Sequence, residues 1–313
     1  DCLLSRGLGD VYKRQLEILL VAGLVLAVPA LLAACSPLTL LNGAVPDAAS
    51  RATPGVAYGP LPRQRLDIYA PPDADRAPVV VFFYGGSWRS GDRADYRFAG
   101  DALASRGIVA VIADYRLYPE ARYPAFLQDA AQVVAWTQQH IGSYGGDPGR
   151  VFVAGHSAGG YIAAMLALDP RWLQGAGTTP GTLAGWIGLA GPYDFLPIVA
   201  RDVRPVFLFP DTPVDSQPIR HVSAAAPPGL LLTGAADTTV DPQRNSASLA
   251  RALQAAGACA RLVEYPGLGH KLLVGALARP LRWRAPVLDD FSAFVAGPHA
   301  PSLSPQAHTG GCG

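Results

Sequence analysis

A serine flanked by two glycines, in Gly155-His156-Ser157-Ala158-Gly159, is where the sequence most clearly suggests chemistry. An apolar run at 151–154 precedes it, and a helical pattern begins at Ala158. A sharp turn between strand and helix strains the serine backbone and leaves no room for side chains two positions away, so glycine is needed on both sides. Ser157 is therefore a candidate nucleophile, and the Ala158 NH, at the helix N-terminus, could bind a developing oxyanion.

A serine hydroxyl needs a histidine to take its proton and a carboxylate to orient that histidine. His270 follows the apolar run 262–265 in a glycine-containing turn, and Asp237 is the first acid after the run 230–233. His156 lies inside the turn and points away from the neighbouring hydroxyl. Asp241 is a rival acid that better fits a helix N-cap, and Asp194 is a weaker rival. We expect Ser157, Asp237 and His270 to form the catalytic triad, and their chain order Ser, Asp, His is the one expected for an α/β-hydrolase.

A second glycine-containing loop, Tyr84-Gly85-Gly86-Ser87-Trp88, follows the apolar run that begins at Val79. Glycines let backbone NH groups turn inward toward a developing negative charge. The loop resembles the H-G-G-G-W motif of esterases and lipases related to hormone-sensitive lipase, and of the acyl-esterases (the BD-FAE-like group) and arylformamidases akin to them. The segment 114–120, Asp-Tyr-Arg-Leu-Tyr-Pro-Glu, is similar to the D-Y-R-L-x-P-E segment of the same group, and Gly-Asp-Pro at 146–148 also fits. The resemblance spans about residues 64–296.

This resemblance implies Ser157, Asp237 and His270 as the triad and an oxyanion hole made by the NH groups of Gly86, Ser87 and Ala158. Tyr84 stands where relatives have a histidine that braces the loop by hydrogen bonds, and Ser87 replaces the third glycine. Because the donors are backbone groups, neither change abolishes the hole. Charged residues nearby are interpreted as fixing loops, not as catalytic: Asp114, Arg116 and Asp147.

Apolar runs alternate with helical patterns along the chain. Strands are predicted at 66–69, 79–84, 108–113, 151–154, 186–190, 230–233 and 262–265, and helices at 94–106, 125–141, 158–168, 242–256 and 285–296. This alternation predicts an α/β fold with a mostly parallel central sheet flanked by helices, the α/β-hydrolase fold, with the active site at the carboxyl ends of the strands.

The segment 192–228 breaks the alternation, since it is rich in proline and aspartate. We interpret it as a small lid-like excursion over the site; a surface loop without substrate contact is the alternative. Three aromatic residues are candidate walls of a substrate pocket: Trp88, Phe195 and Phe207.

The composition excludes several functions. The chain has 313 residues, is 50% hydrophobic and has a formal net charge of +1, which suits one large domain and provides no basic face for nucleic acid. No His/Cys cluster has the spacing of metal ligands, so neither a metal nor a cofactor is expected.

The N-terminus resembles a lipoprotein signal peptide. An apolar stretch at 16–34 ends in Leu-Ala-Ala before Cys35, which we expect to be lipidated. An uncleaved membrane-spanning helix is the alternative. Residues 1–15 resemble a translated adapter sequence. We therefore expect an artefact plus signal peptide at 1–35, a tether at 36–60, the catalytic domain at 61–297 and a flexible tail at 298–313. A disulfide between Cys259 and Cys312 is left open.

Together these features predict a carboxylic-ester hydrolase acting on a small-molecule ester of short to medium acyl chain through an acyl-enzyme. The predicted location is the bacterial cell envelope, with the chain lipid-anchored and facing the periplasm. An amidase or arylformamidase is the enzyme alternative, because a triad does not encode the leaving group. A non-catalytic hydrolase-fold binding lipoprotein is the remaining one. Oligomeric state cannot be inferred from the sequence.

Overall fold

The computed structural model describes residues 37–45 and 50–297 and the backbone of 307–308. Within these residues the strands are β1 (Arg51–Ala57), β2 (Arg65–Ala70), β3 (Ala77–Phe83), β4 (Val109–Ala113), β5 (Gly146–His156), β6 (Leu183–Leu189), β7 (Gly229–Gly234), β8 (Ala260–Tyr265) and β9 (Ala307–His308). The α-helices are α1 (Pro37–Gly43), α2 (Arg97–Ala104), α3 (Ala125–His140), α4 (Ala158–Leu168), α5 (Pro170–Gly175), α6 (Ser248–Ala255), α7 (His270–Gly275) and α8 (Val287–Ala296).

The nine strands form one sheet in the order β1-β2-β4-β3-β5-β6-β7-β8-β9. Strands β3 to β8 pair in parallel, whereas β2 is antiparallel to β1 and β4, and β9 is antiparallel to β8. Strands β3, β4 and β7 are buried over most or all of their length, which matches their continuous apolar sequences. The mostly parallel sheet flanked by helices confirms the predicted α/β-hydrolase fold.

The strand order reverses direction around β3, and this places the loops after β3 and β5 side by side. Phe83 and Gly155, near the ends of these two strands, are register partners. In open α/β sheets, ligands bind at such a switch point, outside the carboxyl ends of the strands. The topology therefore brings the two glycine-containing loops of the sequence to one edge.

The prediction of a tether at 36–60 is wrong in part, because this stretch contains α1 and β1. Strand β1 is mostly exposed and lacks an alternating apolar pattern, so the sequence carries little signal for it. Its order comes from backbone pairing with β2, in which Arg51 lies opposite Ala70. The domain thus begins before residue 61.

The excursion at 192–228 contains three short 3-10 helices and no strand, and it packs Val206 and Phe207 into the core. The predicted signal peptide and lipidation site lie outside the described residues, as does most of the predicted tail apart from β9. In the part of the chain that the structure describes, no helix is long and apolar enough to cross a membrane. Cys259 is disulfide-bonded, and the other three cysteines lie outside the described residues, so its pairing with Cys312 stays open.

Candidate active site

Ser157 occupies the strained turn between β5 and α4. Its backbone has φ 55° and ψ −120°, a conformation that L-residues adopt only when the surroundings impose it. A Cβ on Gly159 would lie 1.9 Å from the Phe83 carbonyl oxygen, and one on Gly155 would lie 2.3 Å from the Gly159 backbone. Both glycines are therefore required by close backbone contact, as the motif predicts.

Ser157, His270 and Asp237 meet in one hydrogen-bonded chain. The Ser157 hydroxyl lies 2.8 Å from His270 Nε2, and His270 Nδ1 lies 2.7 Å from Asp237 Oδ2. The carboxylate can only accept at neutral pH, so Nδ1–H donates to Asp237 and Nε2 is free to take the serine proton. The structure thus brings together the three residues that the sequence selects from different strands.

Asp237 is held in its ionised form. Burial by itself would raise the pKa of its carboxyl, but hydrogen bonds from His270 and from the backbone NH groups of Val240 and Thr239 outweigh it and lower the pKa. An ionised carboxylate at this position fixes the tautomer of His270 and stabilises its protonated form.

The rival acids have other roles. Asp241 accepts hydrogen bonds from the NH groups of Gln243 and Arg244, which is the N-cap arrangement expected for it. Asp194 lies 3.7 Å from Arg244 and does not contact His270 in the described structure. His270 itself is the first residue of α7, not part of a loose turn.

His156 does contact the triad, although not through Ser157. Its Nε2–H donates to the backbone carbonyl of His270 at 3.0 Å, and the two imidazole rings lie 4.7 Å apart. Burial, together with the charge of a protonated His270, lowers the pKa of His156 to about 3, so it stays neutral. His156 therefore holds the backbone of His270, a contact that no motif in the sequence indicates.

The loop after β3 has an unusual backbone, with three successive residues at positive φ. Gly86, Ser87 and Trp88 have φ values of 132°, 53° and 57°, and a Cβ on Gly86 would lie 2.0 Å from the Ser90 carbonyl oxygen. Within the described residues, neither the Gly86 nor the Ser87 NH donates to a protein acceptor. The Ala158 NH is at the first position of α4, where helix NH groups lack intrahelical partners. All three donors are therefore free for a ligand.

Tyr84 supports this loop through hydrogen bonds, the role expected of the histidine that relatives have at this position. The fully buried phenol donates to Asp114 Oδ1 at 2.8 Å and accepts from Arg63 Nη2 at 2.9 Å. Asp114 also accepts from the Arg93 backbone NH and side chain. Burial, followed by the charge of Asp114, raises the pKa of Tyr84, so the phenol remains protonated and continues to donate.

The other two charges interpreted as structural also fix loops. Arg116 makes a two-pronged ion pair with Asp129, which is fully buried. Asp147 accepts from the Gly149 NH and from Arg76. Neither pair bonds to a triad residue.

A cleft of about 300 Å³ opens beside Ser157. Its wall is mostly apolar and includes Trp88 and Phe195, two of the three predicted pocket residues. Most of the remaining apolar lining was not predicted and comes from the excursion and from the loop after Asp237: Pro192, Pro197, Ile198, Val199, Ala200, Val203 and Val240.

The prediction that Phe207 lines the pocket is wrong. Its ring is fully buried and packs edge-on against Trp88, 4.8 Å between centroids, from behind the wall. In a proline-rich loop, the sequence does not show whether an apolar residue lines the pocket or packs behind the residues that do. Phe207 instead helps to fix the position of Trp88.

The fold is that of an α/β-hydrolase, and its candidate site holds a hydrogen-bonded serine, histidine and aspartate. Comparison with known proteins gives similar sequences and structures. Residues 66–200 match the family model BD-FAE. The isoprenylcysteine alpha-carbonyl methylesterase ICME of Arabidopsis thaliana is 33% identical over 249 residues, 72% of this chain and 58% of that protein. Esterase LipC of Mycobacterium tuberculosis is 31% identical, over 72% of this chain and 61% of that protein.

A solved esterase from Thermogutta terrifontis has the same fold, with a TM-score of 0.66 and 26% identity over 82% of this chain and 98% of that one. In sequence and in fold the chain is thus similar to α/β-hydrolase esterases. It spans about half to three fifths of the length of the curated relatives that it matches.

Proposed function

We propose that this protein is a carboxylic-ester hydrolase of the BD-FAE group that works through an acyl-enzyme on Ser157. The observation that carries the proposal is the hydrogen-bonded chain from Ser157 to His270 to Asp237, 2.8 Å and 2.7 Å long. The similarity to named esterases supports the same reaction.

In this mechanism His270 Nε2 takes the Ser157 proton as Oγ attacks the acyl carbonyl carbon. The carbonyl oxygen becomes an oxyanion that accepts hydrogen bonds from the NH groups of Gly86, Ser87 and Ala158. When the tetrahedral intermediate collapses, His270 gives its proton to the leaving alcohol oxygen. Water, deprotonated by the same imidazole, then attacks the acyl-enzyme and releases the acid and the Ser157 hydroxyl.

The cleft favours small substrates with an apolar part. Its volume of about 300 Å³ holds a short to medium acyl chain, and its walls are formed by Trp88, Phe195 and residues such as Ile198 and Val203. Three charged residues also line the cleft: Asp194, Asp241 and Arg244.

The proposal is tested by a substrate series on one preparation: p-nitrophenyl esters from acetate to palmitate, a prenylcysteine methyl ester and N-formylkynurenine. We expect kcat/KM to be highest for the acetate to hexanoate esters and to fall for palmitate. Faster cleavage of N-formylkynurenine than of every ester would replace the ester assignment with arylformamidase activity.

We also propose that the protein is held at the membrane by a lipid on Cys35 and faces the periplasm. The apolar stretch at 16–34 and the small residues directly before Cys35 support this. Expression in a bacterial host with a radiolabelled fatty acid tests it: the wild-type chain is expected to carry label, and Cys35→Ser to lose both label and membrane attachment. A Cys35→Ser chain still found in the membrane fraction would support a spanning anchor instead.

A further inference from the structure

A segment rich in arginine, with one tryptophan, lies between α7 and α8 and has no part in the proposed reaction. It is the 3-10 helix Arg279–Arg284, with the sequence Arg-Pro-Leu-Arg-Trp-Arg. Trp283 is 75% exposed, and the Arg284 guanidinium lies 5.1 Å from the centre of its ring. The other four tryptophans of the chain are buried or half-buried. We call the exposed face of this segment the Arg–Trp surface.

This surface carries more positive than negative charge. Among the described residues, no carboxylate forms an ion pair with Arg279, Arg282 or Arg284. Burial, followed by the charges of Arg106 and Arg279, lowers the pKa of Arg282, and the charge of Asp289 opposes this shift. In the described structure Asp289 is itself ion-paired with Arg106. A surface with this excess charge is suited to an anionic partner.

The N-terminal helix lies against the same surface. Leu41, Ala44 and Val45 line a hollow together with Arg279, Arg282 and the buried Asp101. In the sequence Cys35 is six residues before Leu41, and six residues of extended chain span at most about 21 Å. The apolar stretch at 16–34 ends one residue earlier. A lipid on Cys35 and a spanning segment would both hold this face close to a bilayer.

We propose that the Arg–Trp surface rests on the anionic headgroups of a phospholipid membrane. Arginines near an anionic bilayer gain affinity from its surface potential, and tryptophan prefers the boundary between headgroups and acyl chains. A single lipid chain gives only marginal binding, whereas a chain combined with a basic surface gives stable attachment. The contact fixes the orientation of the enzyme on the membrane, a property separate from ester hydrolysis.

The test uses the full chain, mixed with vesicles of phosphatidylcholine alone or with one third phosphatidylglycerol, each containing a lipid brominated near the headgroup end of its acyl chains. Bromine quenches only tryptophans at the bilayer, so Trp283 is the reporter. We expect quenching at least about twofold stronger in the anionic vesicles, reduced by 0.5 M salt, and absent in Trp283→Phe.

The charge requirement is tested by the double variant Arg279→Glu/Arg284→Glu, in which quenching is expected to fall to the level of uncharged vesicles. Arg150→Glu/Arg251→Glu makes the same charge change at exposed arginines on other elements and is the matched control. Hydrolysis of p-nitrophenyl acetate in detergent checks the fold of each variant and reports separately on the proposed reaction. Equal quenching in both vesicle types, or quenching that persists in Trp283→Phe, would overturn the proposal, as would binding of an acidic protein by this surface without any lipid contact.

Discussion

Tyr84→Phe removes one hydroxyl from the brace beneath the oxyanion loop and leaves its ring in place. The hydroxyl makes two hydrogen bonds, one to Asp114 and one from Arg63. In the variant Asp114 still accepts hydrogen bonds from the Arg93 backbone NH and side chain. Arg63 still donates to the carbonyls of Tyr115 and Gly91. No buried charge is left alone, so the cost is that of a hydrogen bond to charged groups, about 1.5 to 3 kcal/mol, and not the larger cost of a broken ion pair.

Chemical denaturation of wild type and variant measures this cost as the difference in the free energy of unfolding. A loss of about 2 kcal/mol corresponds to a fall in Tm of roughly 4 to 8 °C for a domain of this size. Because the backbone donors remain, we expect kcat to fall by less than about tenfold. Tyr118→Phe is the control, since in the described structure the Tyr118 hydroxyl bonds to no other residue.

Two results would refute this reasoning. Equal stability of wild type and Tyr84→Phe would show that the phenol is not the brace. A loss of kcat greater than about a hundredfold without a loss of stability would assign the hydroxyl a part in the chemistry, as expected only for an oxyanion donor.

Further predictions concern the turn, the acid and the buried histidine. Gly159→Ala places a Cβ 1.9 Å from the Phe83 carbonyl oxygen and should prevent soluble expression, whereas Gly175→Ala, with open space around it, should not. Asp237→Asn should lower kcat by about 10⁴-fold at little change in KM, because an amide cannot hold the His270 tautomer, and Asp241→Asn should leave kcat nearly unchanged. The pKa of His156 is about 3 in the folded protein, against an ordinary value of 6.5. Between pH 6.5 and 3 only the unfolded chain binds the proton, so the free energy of unfolding falls as the pH is lowered. His156→Gln keeps a donor for the His270 carbonyl but cannot titrate, so the free energy of unfolding should depend on pH less steeply, by about 1.4 kcal/mol per pH unit. Denaturation at several pH values measures this, and parallel curves for wild type and variant would contradict it.

Much of the fold follows from the sequence because buried parallel strands need long apolar runs. All seven predicted strands are present, and α4 runs from Ala158 to Leu168 as predicted. The edges of the sheet were missed, since β1 is mostly exposed and held by backbone pairing, and β9 has two residues. Pattern reasoning detects burial, and edge strands bury little.

The candidate site was predictable where the local backbone conformation or a close contact allows only certain residue types. The glycines around Ser157 and at position 86 are dictated by close contacts, and a triad needs fixed residue types after strand ends. Partners that no motif links were not predictable: Arg63 is 21 residues from Tyr84, and the contact of His156 with the His270 carbonyl joins residues 114 apart. The error at Phe207 has the same origin, because depth within an apolar cluster is a tertiary property.

The central claim is that Ser157 is the nucleophile, and covalent labelling tests it most directly. Diethyl p-nitrophenyl phosphate should add one diethyl phosphoryl group per chain, at Ser157 by peptide mass spectrometry, with loss of p-nitrophenyl acetate hydrolysis in step with labelling. Ser157→Ala should take up no label and lose at least about 10⁴-fold in kcat. A label on another residue that abolishes activity, or a Ser157→Ala enzyme that hydrolyses the ester at the wild-type rate, would contradict the account.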